Sequence, residues 1–151
     1  MDIHIYSFGE NPQELSKKSI VAYVVPMFIW FVAFTISLSG TLVFVIFIIL
    51  IGVYTVAYIR SYTLFMDDEG VWVFRGVFPW QKGIYGVKWG DFNEGVFFQN
   101  FASWALRSFT IEVKNRYKEE FEIMLRYMHN GDSAITKMNS KFMQKYRRKH
   151  Q

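Results

Sequence analysis

The sequence predicts a membrane protein in two parts: a hairpin of two apolar transmembrane helices, then an α+β domain built as an antiparallel meander barrel with one C-terminal capping helix. Three observations carry this. Residues 19–59 contain no Asp, Glu, Lys, Arg or His, a gap of 41 residues in a chain of 151. Residues 61–131 then change to short runs rich in aromatic and β-branched side chains, broken by turn residues roughly every 8–12 positions. From residue 132 the apolar spacing changes once more, to the helical period.

In chain order, residues 1–18 form a polar N-terminal segment, with Asp2, Glu10 and Glu14 against Lys17 and Lys18. The uncharged window divides into two runs of 19 residues, 20–38 and 41–59. A bilayer core needs roughly 20 helical residues. Ser39 and Gly40 between the runs suit a tight turn. Thirteen Val, Ile, Leu and Phe residues in the second run favour insertion by about 6 kcal/mol. Pro26 either kinks the first helix or sits in its first turns.

A soluble helical hairpin is not expected, because a domain of this size could hardly cover two helices that are apolar on every face. A signal peptide ending near Ser37 and Ser39 is not expected either. Its apolar stretch would be too long, and a second span follows at once. Lys17 and Lys18 precede the first span, Arg60 follows the second, and the turn is uncharged. The positive-inside rule then places both termini in the cytoplasm. Tyr54, Tyr58 and Tyr62 recur on one helical face. They fit either an interfacial aromatic belt or packing against the first helix.

In residues 61–131, the expected strands are 61–66, 71–78, 83–89, 94–101, 108–114 and 119–125. Asp67, Asp68, Glu69 and Gly70 form the first turn. Residues 108–114 alternate almost strictly, as a half-buried strand should. Gly83 and Gly86 flank Ile84 and Tyr85, a pattern that suggests a bulge. After Asn130 and Gly131, Asp132 or Ser133 can cap a helix. Its apolar face is Ala134, Ile135, Met138, Phe142 and Tyr146, opposite Lys137, Lys141, Lys145 and Arg148.

Function classes narrow by elimination. The chain has no cysteine, so disulfides, thiolate zinc sites, iron–sulfur clusters and cysteine nucleophiles are excluded. His4, His129 and His150 are isolated and show no metal-ligand spacing. The pairs Asp67-Asp68 and Glu119-Glu120 read as solvated turn residues. No phosphate-loop, dinucleotide or nucleophile-elbow motif is present, and no charge lies in the spans to mark an ion path. No enzyme activity and no cofactor are therefore expected. Nucleic acid is not expected as a partner, since no stacking platform accompanies the basic residues.

Two features remain. The segment 96–104 packs more large apolar side chains than one strand face can bury. Phe97, Phe98, Phe101 and Trp104, with Trp80 beside Pro79, are the candidate contacts for a membrane-protein partner or a second copy of the chain. The second feature is the basic excess, since residues 60–151 carry 15 basic and 10 acidic groups. Lys141, Lys145, Arg147, Arg148 and Lys149 on the last helix are candidate contacts for anionic lipid.

The layout resembles the bacterial pleckstrin-homology-like membrane proteins, nearest to the small YdbS-like proteins with the bPH2 domain. The resemblance rests on the strand–turn–strand of residues 62–78 with its Asp67-Asp68-Glu69-Gly70 turn, on Gly86-Val87-Lys88-Trp89-Gly90-Asp91-Phe92, and on Trp104-Ala105-Leu106-Arg107-Ser108-Phe109-Thr110-Ile111. It covers roughly residues 19–146 and implies three parts: an N-terminal segment 1–18, a transmembrane hairpin 19–60, and a cytoplasmic PH-like domain 61–151. It also implies a multi-pass bacterial inner-membrane protein without catalytic activity that works as a scaffold or accessory subunit. The alternative is an anionic-lipid-binding module linked to envelope homeostasis. Phosphoinositide binding at the first hairpin loop is not expected, because that loop is acidic and repels phosphate.

Overall fold

The computed structural model describes residues 9–37, 42–117 and 121–149. The elements run β1 (Gln13–Lys17), α1 (Val21–Ser37), α2 (Leu42–Ser61), β2 (Thr63–Met66), β3 (Gly70–Arg75), a 3-10 turn (Pro79–Gln81), β4 (Gly83–Lys88), β5 (Phe92–Phe98), α3 (Phe101–Ala105), β6 (Ser108–Asn115), β7 (Phe121–His129) and α4 (Gly131–Lys149). The chain is thus α+β, with two antiparallel sheets ordered β1-β2-β3-β4 and β5-β6-β7.

The α1 and α2 helices pack against each other. Among the described residues only α2, at 20 residues, is long and apolar enough to cross a membrane, and α1 has 17. The expected turn at Ser39 and Gly40 lies outside the described residues, as do His4, His150 and Glu119-Glu120. Almost every side chain of the two helices is at least partly exposed. Their apolar surface is therefore not buried by the rest of the chain.

The N-terminal segment departs from expectation. Residues 13–17, within the polar segment set apart from the domain in the sequence reading, form an edge strand of the first sheet. β1 pairs antiparallel with β2, Gln13 opposite Met66 and Lys17 opposite Thr63. The unit formed by the sheets therefore begins before the helix pair, and the helices are inserted between its first and second strands. The free edge of β1 then reaches the second sheet. Lys18 bridges to Met128, Ser19 N–H donates to Tyr127 O at 2.7 Å, and Ser16 Oγ donates to His129 O at 2.6 Å. Tyr127 adopts a left-handed conformation (φ 59°), and the β6–β7 register slips between Phe109 and Ile111. Such an irregularity bends a strand, and here it turns the end of β7 toward β1.

Other boundaries also differ. The 94–101 strand ends at Phe98, and Phe101 opens a short helix instead. The second strand ends at Arg75, and β4 keeps an unbroken register with β3 from Gly70–Lys88 to Arg75–Gly83, so there is no bulge at Gly86. Glycine is required there for space. A Cβ would lie 2.1 Å from Val71 O and 2.6 Å from the Trp72 ring.

The main core lies between the sheets. Leu64, Val71, Val73 and Val87 of the first meet Ile111, Val113, Ile123 and Leu125 of the second, closed by Trp89, Phe92 and Met128. The α4 helix covers this core with Ala134, Ile135 and Met138. It docks on β5 at Gly95, where a Cβ would press to 2.9 Å from Ile135. There the Asn139 side chain accepts from Gly95 N–H and donates to Gly95 O, both at 3.0 Å. Phe65, Trp72 and Phe74 form a second buried cluster with Ile84. By strand alternation it lies on the opposite face of the first sheet, toward which α2 leans through β3.

The Asp67 turn joins these parts. Its carboxylate accepts the N–H groups of Glu69 and Gly70, both at 2.8 Å, and that of Gly9 at 3.0 Å. Its carbonyl accepts the Trp89 indole N–H at 3.0 Å. Burial disfavours the charge, but hydrogen bonding from Trp72, Gly70, Glu69 and Gly9 outweighs it and holds the carboxyl below its usual range. Asp67→Ala should cost about 2–3 kcal/mol in denaturant unfolding of the detergent-solubilised chain, because buried donors are stranded. The carboxylate's contribution is present above its unfolded pKa. It should fade as pH falls through the lower folded value.

At the root of α1, Lys18 Nζ donates to Arg126 O and lies 5.0 Å from the Tyr62 ring centre. Burial lowers its pKa from 10.5 to about 8. The folded chain therefore releases this proton before the unfolded chain does, and stability should rise between pH 8 and 10.5. Unfolding curves of wild type and Lys18→Met across that window isolate the effect. Only the wild type should show the extra rise.

Candidate functional site

The aromatic segment folds as a knuckle at the β5–β6 connection. Asn100 starts α3 by accepting Ser103 N–H on its side chain at 2.7 Å, and Trp104 N–H bonds its carbonyl at 2.8 Å. This is ordinary N-cap chemistry. Arg107, at φ 47°, turns the chain out of the helix, and Asn130 N–H closes on Arg107 O at 3.3 Å. The α3 helix also packs on β6. The Asn100 cap at one end and the Asn130–Arg107 backbone bond at the other thus close a five-residue helix without burying Phe101 or Trp104.

Its rings point outward. Phe101 is 83% exposed, Trp104 62% and Phe98 53%. Phe101 and Trp104 sit together, with ring centres 6.2 Å apart, and Leu106 extends the apolar surface. Phe97 is the inward member, edge-on to Phe109 at 5.7 Å.

Trp80 belongs to a different surface. It is 78% exposed and stacks on Phe78 at 4.9 Å, nearly parallel. Phe78 in turn stacks on Tyr54 of α2 at 5.6 Å, and Tyr54 Oη donates to Gln81 Oε1 at 3.0 Å. The 3-10 turn thus leans on α2 through three aromatic rings and one hydrogen bond. Tyr58 and Tyr62 continue the series, their hydroxyls 3.0 Å apart, with Arg75 stacked 5.4 Å from the Tyr85 ring nearby. The tyrosine face of α2 therefore meets the sheets, although its spacing equally suits packing on α1. Phe78 was not among the expected contact residues. The run Phe78-Pro79-Trp80 beside a helix-face tyrosine series was the available signal.

The basic helix is less free than its sequence suggests. Lys141 pairs with Asp68 at 3.1 Å, and Lys145 donates to the Asp68 carbonyl. Hydrogen bonding to Lys141 and the field of that cation hold the Asp68 carboxyl below its usual range. Arg147 is exposed. The side chains of Arg148 and Lys149 lie outside the described residues. The acidic turn that would repel phosphate is instead the counter-charge of α4.

Two concavities line α2. One, of about 450 Å³, is walled by Ala57, Arg60, Ser61, Lys17 and Glu14 with Phe65, Phe74 and Val77. The other, of about 440 Å³, lies between Leu50, Ile51 and Tyr54 and the residues Phe78, Trp80 and Gln81. Compared with known proteins, the chain matches no protein-family model, no curated protein and no solved structure.

Because the α3 rings are exposed and held by backbone bonds, Phe101→Ser with Trp104→Ser should leave unfolding free energy within about 0.5 kcal/mol of wild type. A larger loss in thermal or denaturant melts would mean that these rings form part of the core.

Proposed function

We propose that this chain is a non-enzymatic scaffold or accessory subunit of a bacterial inner membrane, docking a membrane-protein partner through the α3 knuckle. The observation that carries this reading is the exposed set of Phe98 at the end of β5 with Phe101 and Trp104 on the short α3 helix, which is closed at both ends. Exposed aromatic clusters on a rigid support are the usual anchors of protein interfaces.

The membrane half of the proposal is a two-span hairpin with both termini cytoplasmic. It is supported by the uncharged exposed surfaces of α1 and α2 and by Lys17, Lys18 and Arg60 at their outer ends. Pairing of β1 with β2 also supports it, since the helix pair leaves and re-enters one sheet at adjacent strands. A sheet of four strands, a sheet of three and one helix on the core fit a PH-like domain. This chain departs from the simple order of spans followed by domain, because its first strand precedes the spans.

The anionic-lipid reading of the last helix is the weaker one. Lys141 and Lys145 are committed to Asp68.

Affinity purification of the full chain in mild detergent should recover a protein partner, or a second copy, in stoichiometric amount. Phe98→Ala with Trp104→Ala should abolish recovery while leaving the melting curve unchanged. Recovery of lipid alone would refute the scaffold reading. A reporter fused after Gln151 should be active only in the cytoplasm.

A further inference from the structure

The two concavities lie end to end along one stripe of α2. Leu50, Tyr54, Ala57 and Ser61 are spaced by four, three and four residues, so they share a helical face over about 16 Å. The opposite wall is also one segment. Gly76 and Val77 face the first concavity, and Phe78, Trp80 and Gln81 face the second. The chemistry of the lining changes along the stripe. At the α2 C-terminus it offers the charged groups Arg60, Lys17 and Glu14 with Ser61 and Thr63, over an apolar floor of Phe65, Phe74 and Val77. Two turns deeper it offers only Leu50, Ile51 and Tyr54 against Phe78, Trp80 and Gln81.

From this gradient we infer that the groove between α2 and residues 76–81 is a binding site for one membrane phospholipid. The phosphate meets Arg60 and Lys17, and one acyl chain runs past Ala57 and Val77 to Leu50 and Trp80. The inference rests on α2 crossing the bilayer as proposed above. Its direction then follows without further assumption. The cationic end lies at the helix terminus, where headgroups are, and the aromatic wall stands about 9 Å deeper at Tyr54, near the acyl boundary.

Charge complementarity selects the headgroup. Arg60 has no ion-pair partner among the described residues and its side chain is exposed. Lys17 is held at 2.8 Å by Glu14, which also lines the site. The three side chains together carry one net positive charge, which suits a singly charged phosphodiester. The Glu14 carboxylate works against a headgroup bearing additional phosphates. Each concavity is of the size of a small-molecule site, roughly 300–1,000 Å³. Trp80 and Phe78, stacked within 4.9 Å and nearly parallel, give the chain a flat apolar wall.

The experiment is retention of added lipid by the full chain in dodecyl maltoside, read by native mass spectrometry. The probes are phosphatidylglycerol and a diacylglycerol of the same acyl chains. Wild type should retain one phosphatidylglycerol per chain and little diacylglycerol. Arg60→Gln should lower retention about tenfold, the effect of one lost charge-assisted hydrogen bond. Ala57→Trp, which fills the groove, should abolish it, and Arg147→Gln should change nothing. Equal retention of diacylglycerol, or unchanged retention by Ala57→Trp, would overturn the inference. Flotation with phospholipid vesicles separates it from the membrane reading. A chain that floats but retains no phosphatidylglycerol refutes the lipid site alone, and one that does not float refutes both.

Discussion

Strand β1 precedes the helix pair and β2 follows it, yet the two are hydrogen-bonded neighbours. The rest of the structure depends on this pairing. Adjacent strands stand about 4.8 Å apart, so the start of α1 and the end of α2 are held side by side at one sheet edge. The junction is stiffened twice more, by β1 reaching β7 through Lys18, Ser19 and Ser16, and by the Tyr54–Phe78–Trp80 stack along α2. The helices are therefore not tethered by a linker. A tilt of α2 must move β2, β3 and the 3-10 turn with it, and through β1 the second sheet as well.

The same constraint explains why β1 escaped the sequence reading. Its five residues, Gln-Glu-Leu-Ser-Lys, bury only Ser16 fully. A strand that pairs by its backbone at a sheet edge needs no apolar alternation, and here the composition shows none. By contrast, β6 was legible almost to the residue, because Phe109, Ile111 and Val113 alternate toward the core and the pattern is strict. The α4 helix was legible for the same reason at a different period. The α3 helix was not, because a run of Phe and Trp reads as strand by propensity. What breaks it is Asn100, whose side chain and carbonyl cap the turn. In sequence Trp80 and the 96–104 segment were two candidate aromatic contacts with no stated relation in space. The structure places Trp80 against α2 through the Phe78 and Tyr54 rings and Trp104 on α3, which packs on β6.

Charge was the most misleading part of the sequence. Asp67 and Asp68 read as two solvated turn residues, yet they do different work. Asp67 is fully buried and its carboxylate accepts three backbone N–H groups, so its charge organises the β2–β3 turn, while its backbone carbonyl holds the Trp89 indole just beyond β4. Asp68 is exposed, and its carboxylate and carbonyl hold Lys141 and Lys145. An exposed pair of this kind contributes little to stability. It nevertheless removes two cations from the face of α4 that seemed poised for anionic lipid. At the helix junction, by contrast, Arg60 has no ion-pair partner among the described residues and lines one concavity with Lys17, which Glu14 holds.

The two aromatic surfaces differ in what lies beneath them, and this bears on what each can recognise. The Trp80 wall is tied to α2 and is at least as deep as Tyr54. If α2 spans the bilayer, that wall meets lipid before it can meet any soluble protein. The α3 knuckle rests on β6 and is closed by the Asn100 cap and by the backbone bond from Asn130 to Arg107. Aromatic side chains with two rotatable bonds, displayed on a fixed backbone, lose little entropy when covered. A partner that buries Phe101 and Trp104 would keep most of the apolar gain as affinity. A lipid headgroup layer offers these rings no matching pocket. On the proposed reading, lipid belongs to the wall beside α2, and the knuckle is left for a protein.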